Sequence, residues 1–257
     1  MNICVLVKQV PDHEAHVTAT GEGAVQIEDK YVTSFFDEVA IEQALLLREA
    51  HGGTVTAVAA GGGRQVDGLR RALAMGADDA LHVDDPALAD ADGLGTARAL
   101  AAALGPLEPD VVLAGRVALD DEMGLVGPAV AELLDVVHVG AIVSLEVHEG
   151  RFTAVRAVQG GRETVQGTLP VLVTAQKGLA EPRVPKVMAV MKASRAEVQT
   201  RDLAALGLDA AAVAPRVTVT AYSEPPARPP VSMIEGELPE AVETLAELLE
   251  KTAGGGS

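Results

Sequence analysis

Three consecutive carboxylates, Asp120, Asp121 and Glu122, are the densest chemical feature of this sequence. Such a run can hold Mg²⁺ or serve as acid and base. It can equally complement the dipole of the helix that follows and cap its free N–H groups. A carboxylate repels a phosphate beside it, so in a nucleotide site at least one of these groups would bond ribose hydroxyls or backbone. The six histidines are scattered, and the one close pair, His13 and His16, has no cysteine or acidic cluster placed to complete a metal site. They read as surface histidines. No nucleophile elbow, Cys–His pair or kinase signature is present. The single cysteine, Cys4, excludes an internal disulfide, fits a reducing cytoplasm and reads as a small buried core residue.

The carboxylates sit in a unit that could position a ligand. Val111, Val112 and Leu113 form a short apolar strand, Ala114 and Gly115 leave it, and an amphipathic helix follows over residues 126–134. A strand, a glycine turn and a helix start leave backbone N–H groups where a phosphate can sit. The same joint is common in any α/β protein. Together these features describe a nucleotide-shaped site without an evident reaction, which suits a binding or electron-carrier component.

The rest of the chain repeats the pattern. Residues 2–8 read as a strand, ended near Pro11, and residues 13–30 as a polar excursion with a small hairpin. Ser34 and Asp37 fit a capping box at the start of a helix that runs to about Ala50. Residues 54–60 form a second strand, which enters Gly61-Gly62-Gly63 and a helix over residues 65–75. That glycine run matches neither the Walker nor the dinucleotide fingerprint. A strand at residues 80–83 and a helix at 92–104 precede Val111. Alternating strands and helices imply a parallel sheet covered on both faces, with ligands bound beyond the carboxyl ends of the strands. Four strand ends are candidates: residues 6–9, 60–63, 83–85 and 115–126.

After Asp135 the period changes. Residues 142–147, 152–158 and 163–166 alternate with period 2 and predict an antiparallel meander, inserted or at an edge. A strand at 171–175 precedes an irregular stretch with Pro182 and Pro185, which forbid a long helix at its start. It is either a connector or a working loop. Residues 216–221 alternate as a possible final strand. A Pro-rich linker at 224–230 leads to an amphipathic helix at 239–251, with Val242, Leu245, Leu248 and Leu249 on one face. Two domains are expected, residues 1–222 and 223–257.

Composition narrows the function. The 257 residues are 48% hydrophobic and 22% charged, so the chain is globular and can bury a full core. The net charge is −17 and no basic run occurs, which disfavours nucleic-acid binding. No apolar run reaches the roughly 18 residues of a bilayer span, and the start reads as a strand, not a signal peptide. A cytoplasmic protein that does not span a membrane is expected. Aromatic content is 2% with no Trp, thin cover for a flavin or nicotinamide ring held by this chain alone.

Several motifs stand in an order that is specific. VLVKQVPD (5–12), SFFDEVAIEQAL (34–45), ALAMGAD (72–78), AGRVALDD (114–121), VGPAVAELL (126–134), KGLAEPR (177–183) and VMKA (190–193) resemble the beta subunit of electron-transfer flavoproteins from Met1 to about Lys251. The resemblance implies a Rossmann-like α/β sheet of the adenine nucleotide alpha-hydrolase-like type, with an added meander and a C-terminal arm. It implies one half of a heterodimer whose alpha subunit carries the redox FAD. The beta subunit then holds AMP, or a second FAD in electron-bifurcating members. By position, the nucleotide contacts would be Leu6, Ser34, Phe36, Asp37, Ala60, Gly115, Arg116, Asp120, Asp121, Glu122, Met123, Gly124, Leu125 and Val126. A recognition loop over about residues 175–192 would dock on acyl-CoA dehydrogenases or similar flavoenzymes. Glu181, Arg183, Val187, Met188 and Lys192 would contact that donor, with Val187 as the apolar anchor.

The departures from the family pattern bear on the ligand. Ser34-Phe35 stands where the family has Asn-Pro, and Met123-Gly124-Leu125 replaces a polar stretch that gives phosphate its side-chain donors. The acidic run also lacks the Asp-Gly-Asp-Thr of bifurcating members. AMP and a non-bifurcating role are therefore expected. No residue here is expected to be catalytic: electrons would pass from flavin dehydrogenases, through the alpha subunit's FAD, toward a quinone reductase or another acceptor. A second FAD in this chain, an altered or vacant site, and an adenine-nucleotide-binding regulatory module without redox function are the alternatives.

Overall fold

The computed structural model describes residues 1–21 and 24–254. They divide into two units, Met1–Tyr222 and Ser223–Ser257. In the first, strand β1 is Asn2–Leu6, β2 Gln9–Pro11, β3 Val17–Gly21, β4 Ala24–Ile27 and β5 Tyr31–Thr33, followed by helix α1, Phe35–His51. Then come β6 (Thr54–Ala60), α2 (Gln65–Met75), β7 (Asp79–Val83), α3 (Gly93–Leu104), β8 (Val111–Gly115) and α4 (Val126–Leu133). The meander is β9 (Val137–His148), β10 (Arg151–Val158) and β11 (Gly161–Thr168), and the unit continues with β12 (Val171–Ala175), α5 (Val187–Ala193) and β13 (Gln199–Arg201). In the second unit, a stretch without regular structure precedes α6, Leu238–Gly254. Its spacing puts Val242, Leu245, Leu248 and Leu249 on one face.

The central sheet has the order β11-β10-β9-β12-β8-β1-β6-β7-β13. Neighbours from β9 to β13 run parallel, and the hairpins of β9, β10 and β11 extend one edge antiparallel. The meander is thus a continuation of the main sheet, not a separate one. The parallel strands are near-continuous apolar runs because helices cover both faces. On one face α1 and α2 pack Ile41, Leu45, Leu69 and Met75 against Val5, Val55 and Leu113. On the other, α3 and α4 bring Leu100, Leu104 and Val130 onto Cys4, Leu6, Val58 and Val112. Cys4 is a core residue whose thiol burial pushes up to about 12, so it stays protonated and unreactive. This is a Rossmann-like α/β fold.

The order of the strands places the site. The chain winds outward from β1 through β6 to β7, then crosses back to lay β8 on the other side of β1. Strands β1 and β8 therefore flank the switch point, where two loops leave in opposite directions and open a crevice.

Three sequence expectations need correction. Residues 216–221 form no strand; the edge place beside β7 belongs to β13, because Gln199–Arg201 pairs with Leu81–Val83. Alternation alone cannot tell a paired strand from an extended exposed one, and residues 216–221 are exposed on both faces. The capping box at Ser34 does not form either, since its side chain caps nothing. The acidic run likewise leaves the N-terminus of α4 without a side-chain cap.

Candidate functional site

A cavity of about 360 Å³ opens at the carboxyl ends of β1, β6 and β8. Leu6, Val7 and Lys8 form its floor from the first strand, Ala60, Gly61 and Gly62 one side, and residues 114–118 the other. Leu88, Ala91, Thr96 and Leu100 close it from the α3 side, and the segment Met123–Gly127 lies over the start of α4. Three of the four strand ends singled out by sequence meet here. The fourth, residues 83–85, does not line the cavity: Asp85 is occupied in capping the turn at Ala87 and accepting the N–H of Leu203.

Asp37 explains why the capping box fails. Its carboxylate turns away from Ser34 and accepts two backbone N–H groups, from Lys8 at 2.8 Å and from Gly115 at 3.0 Å. These are the residues at which the chain leaves β1 and β8, so one buried side chain brackets the switch point. A Cβ at position 115 would strike the carboxylate and stand 2.9 Å from the Cβ of Phe36, so only glycine admits this approach. Burial pushes the carboxyl up to about 7, against the two N–H groups and the Lys8 charge that pull it down.

Lys8 carries the second tie. Its ammonium pairs with Asp120 at 2.8 Å and Asp121 at 3.1 Å, fastening the loop between β8 and α4 to the end of β1. Burial opposes the charge on Lys8, but the two carboxylates outweigh it and hold the pKa above the ordinary lysine value. Asp121 also accepts the N–H of Met123 at 3.0 Å. A third tie sets the glycine turn after β6. His82, expected at the surface with the other histidines, is instead buried 2.7 Å from the carbonyl of Gly61, and because a carbonyl only accepts, Nε2 carries the proton. Gly61 has φ +122°, a conformation suited to glycine, and directs the chain along the cavity wall.

Of the residues expected to contact nucleotide, Leu6, Asp37, Ala60, Gly115, Arg116, Asp121, Met123, Gly124, Leu125 and Val126 line the cavity. Ser34, Phe36, Asp120 and Glu122 do not. Ser34 is fully buried, with a hydroxyl that has no partner among the described residues. Phe36 meets Phe35 edge-on at 5.6 Å and receives the Arg116 guanidinium over its ring at 5.7 Å. Glu122 is exposed, in a left-handed turn with φ 49°. The strand end 6–9 takes in Lys8 without giving its side chain a role, and Gln65, Thr96 and His82 escape the sequence reading. None has a local signal, since each acquires its place through partners distant in sequence.

The stretch after β12 has its own construction. Arg183 grips α1: its Nε and Nη2 bond both oxygens of buried Glu42 at 2.8 Å, and Nη1 bonds Glu49 at 2.8 Å. The two carboxylates hold the guanidinium firmly charged. Arg183 is thus turned inward as an anchor, while Glu181, Val187, Met188 and Lys192 are exposed. Helix α5 packs on α2 and presents Val187 and Met188, each 75% exposed, beside Val184, Val190 and Met191. These large apolar side chains stand exposed together on one helix and the stretch before it.

Comparison with known proteins gives the family. Residues 24–206 match the model of the electron transfer flavoprotein domain. The chain is 36% identical over 256 residues to the electron transfer flavoprotein subunit beta of Bacillus subtilis, covering 98% of this chain and 99% of the relative. The chain belongs to the electron transfer flavoprotein beta-subunit family. The namesake subunit of Thermoanaerobacterium thermosaccharolyticum is 34% identical over 254 residues, 97% of this chain and 98% of its own. That of Mycobacterium leprae is 34% identical over 217 residues, 81% of each. Membership of the beta subunits implies an alpha-subunit partner and flavin at the level of the complex. No helix among the described residues is long and apolar enough to cross a membrane.

Proposed function

We propose that this chain is the AMP-holding half of a non-bifurcating electron-transfer flavoprotein. Its alpha partner carries the redox FAD, takes electrons from flavin dehydrogenases of the acyl-CoA dehydrogenase type and delivers them to a quinone reductase or similar acceptor. The observation that carries the reading is the cavity at the β1–β8 switch point. At about 360 Å³ it lies near the small end of ligand pockets, roughly 300–1,000 Å³. That size suits a mononucleotide better than the dinucleotide FAD.

The residues present fit an adenine mononucleotide in part. Leu6, Leu88, Leu100 and Ala60 offer apolar surface for a base, and the Gly61-Gly62 turn leaves room for close approach. The first turn of α4, with no side-chain cap, leaves backbone N–H groups for an anion. Bound there, AMP would fill the crevice and fix the loops that face the partner; it would not react. Asp37 and His82 would act through the backbone they hold, and Lys8 through the carboxylates of the loop it fastens. No side chain of this chain is assigned acid–base or nucleophilic work.

The exposed face of α5 is the surface we assign to the donor, with Val187 and Met188 entering an apolar pocket of that enzyme. Reconstituting the chain with its alpha subunit and mixing the complex with a reduced acyl-CoA dehydrogenase tests the carrier role. Bleaching of the flavin absorbance at a saturable rate is expected. A complex that binds flavin but is reduced by no dehydrogenase of this type would contradict the donor assignment, and a chain with no flavin-bearing partner would leave the regulatory alternative standing instead.

A further inference from the structure

The cavity is poor in free positive charge. Lys8 and Arg116 are the cations that line it, against Asp37, Asp92 and Asp121. Asp92 is spent on the start of α3, where it accepts the N–H groups of Leu94 and Gly95, and on the N–H of Arg216. Arg116 is exposed at the rim, turned toward the ring of Phe36. That leaves Lys8 as the inner cation, and two carboxylates already hold it, at 2.8 and 3.1 Å. The trio of Lys8, Asp120 and Asp121 carries one net negative charge beside the site. Beyond it, Met123, Gly124, Leu125 and Val126 supply no side-chain donor, and Leu125 lies over the start of α3, 3.1 Å from where a Cβ on Gly93 would stand.

We infer that Asp120 and Asp121, by sequestering the Lys8 ammonium, make this cavity a reader of the nucleoside with little side-chain recognition of phosphate. The inference rests on the adenine-nucleotide reading above and deepens it. A ligand phosphate finds backbone N–H groups at α4, but the nearest ammonium is neutralised and its carboxylate partners repel an incoming dianion. Each further phosphate adds repulsion without adding a partner. The site therefore accepts adenosine and AMP about equally and discriminates against ADP. The usual sign of phosphate binding, weakening by salt, is lost or reversed, because salt here screens a repulsion.

The test is calorimetric titration of the full chain in complex with its alpha subunit, freed of bound nucleotide, with adenosine, AMP and ADP at low and moderate salt. Adenosine and AMP are expected to agree within about tenfold, with AMP affinity flat or rising as salt is added. In D120N/D121N, AMP should gain about tenfold or more over adenosine and weaken with salt, and adding Lys8→Met should erase the gain. Lys8→Met alone bares both carboxylates, so AMP should fall relative to adenosine at low salt and recover as salt is added. A wild-type preference for AMP above about tenfold, a selective loss of AMP in Lys8→Met that persists at moderate salt, or an unaltered ratio in the double variant would each overturn the inference while adenosine still binds. Failure of adenosine and AMP alike to bind would instead remove the nucleotide reading, and this inference with it.

Discussion

Asp37 and Gly115 are fitted to one another: the carboxylate, 6% exposed, takes the Gly115 N–H at 3.0 Å in the space a Cβ would fill. The same carboxylate takes the Lys8 N–H, so α1 locks together the two strands that define the switch point. Exchanging Asp37 for Asn turns one acceptor oxygen into a donor that faces an N–H. Such a buried mismatch costs about 1–3 kcal/mol. D37N should therefore show a lower denaturation midpoint and a weakened nucleotide site. Gly115→Ala, which collides with the carboxylate, should do the same. Wild-type midpoints in both variants would show the bracket to be dispensable.

The same carboxyl gives a pH signature. Its folded pKa, about 7, lies above the ordinary 3.8, so between those values the folded chain keeps a proton that the unfolded chain has released. The stability it contributes is full below the ordinary value and is lost as pH rises through about 7. Urea unfolding from pH 4 to pH 8 should thus show a decline in the wild type that is absent in D37N. Comparing the two separates this group from the general repulsion of a chain with net charge −17. Equal slopes would mean that Asp37 is ionised throughout.

The anchor of the α5 segment predicts a local effect. Removing the Arg183 side chain leaves the carboxylate of Glu42 buried without its fork. A third of the Arg183 side chain is exposed, so solvent discounts the loss to roughly 1–2 kcal/mol. Arg183→Ala should raise amide exchange in residues 177–186 while β1 and β8 stay protected, and it should slow reduction by the donor. Arg183→Lys, which cannot reproduce the bidentate geometry, should recover little. Uniform exchange changes across the sheet would contradict a local anchor.

Docking through α5 is tested at Val187, which is exposed and makes no core contact that a charge would disturb. A carboxylate there cannot enter an apolar pocket without a desolvation penalty. Val187→Asp should leave the melting temperature unchanged and slow flavin reduction by a reduced acyl-CoA dehydrogenase about tenfold or more, mainly through weaker binding. Unaltered donor kinetics would move the docking surface elsewhere.

The parallel sheet was legible in the sequence because buried strands are short apolar runs and each is punctuated by glycine, Pro or a capping residue. The helix expected over residues 92–104, for instance, forms as α3, and Asp92 caps it. The crevice was legible as a set of strand ends. What local patterns could not give was the wiring between them. Ser34 and Asp37 have capping-box spacing, yet Asp37 gains more by bonding two strand ends that sequence separates by many residues. Asp120 and Asp121 look like a helix cap, yet Lys8, 112 and 113 positions away, claims them. Arg183 falls by resemblance in the docking loop, and it is Glu42 and Glu49 on α1 that fix its guanidinium. In each case a charged side chain obeyed a distant partner over a near one, and only the fold brings that partner close.

The central claim is that this chain holds one AMP beside an FAD carried by its partner. It is tested most directly by co-purifying the heterodimer, denaturing it and separating the released nucleotides by chromatography. One FAD and one AMP per heterodimer is the expected result. Two FAD and no AMP would contradict the AMP assignment and point to a bifurcating subunit, and a nucleotide-free chain without a flavin-bearing partner would contradict the carrier function itself.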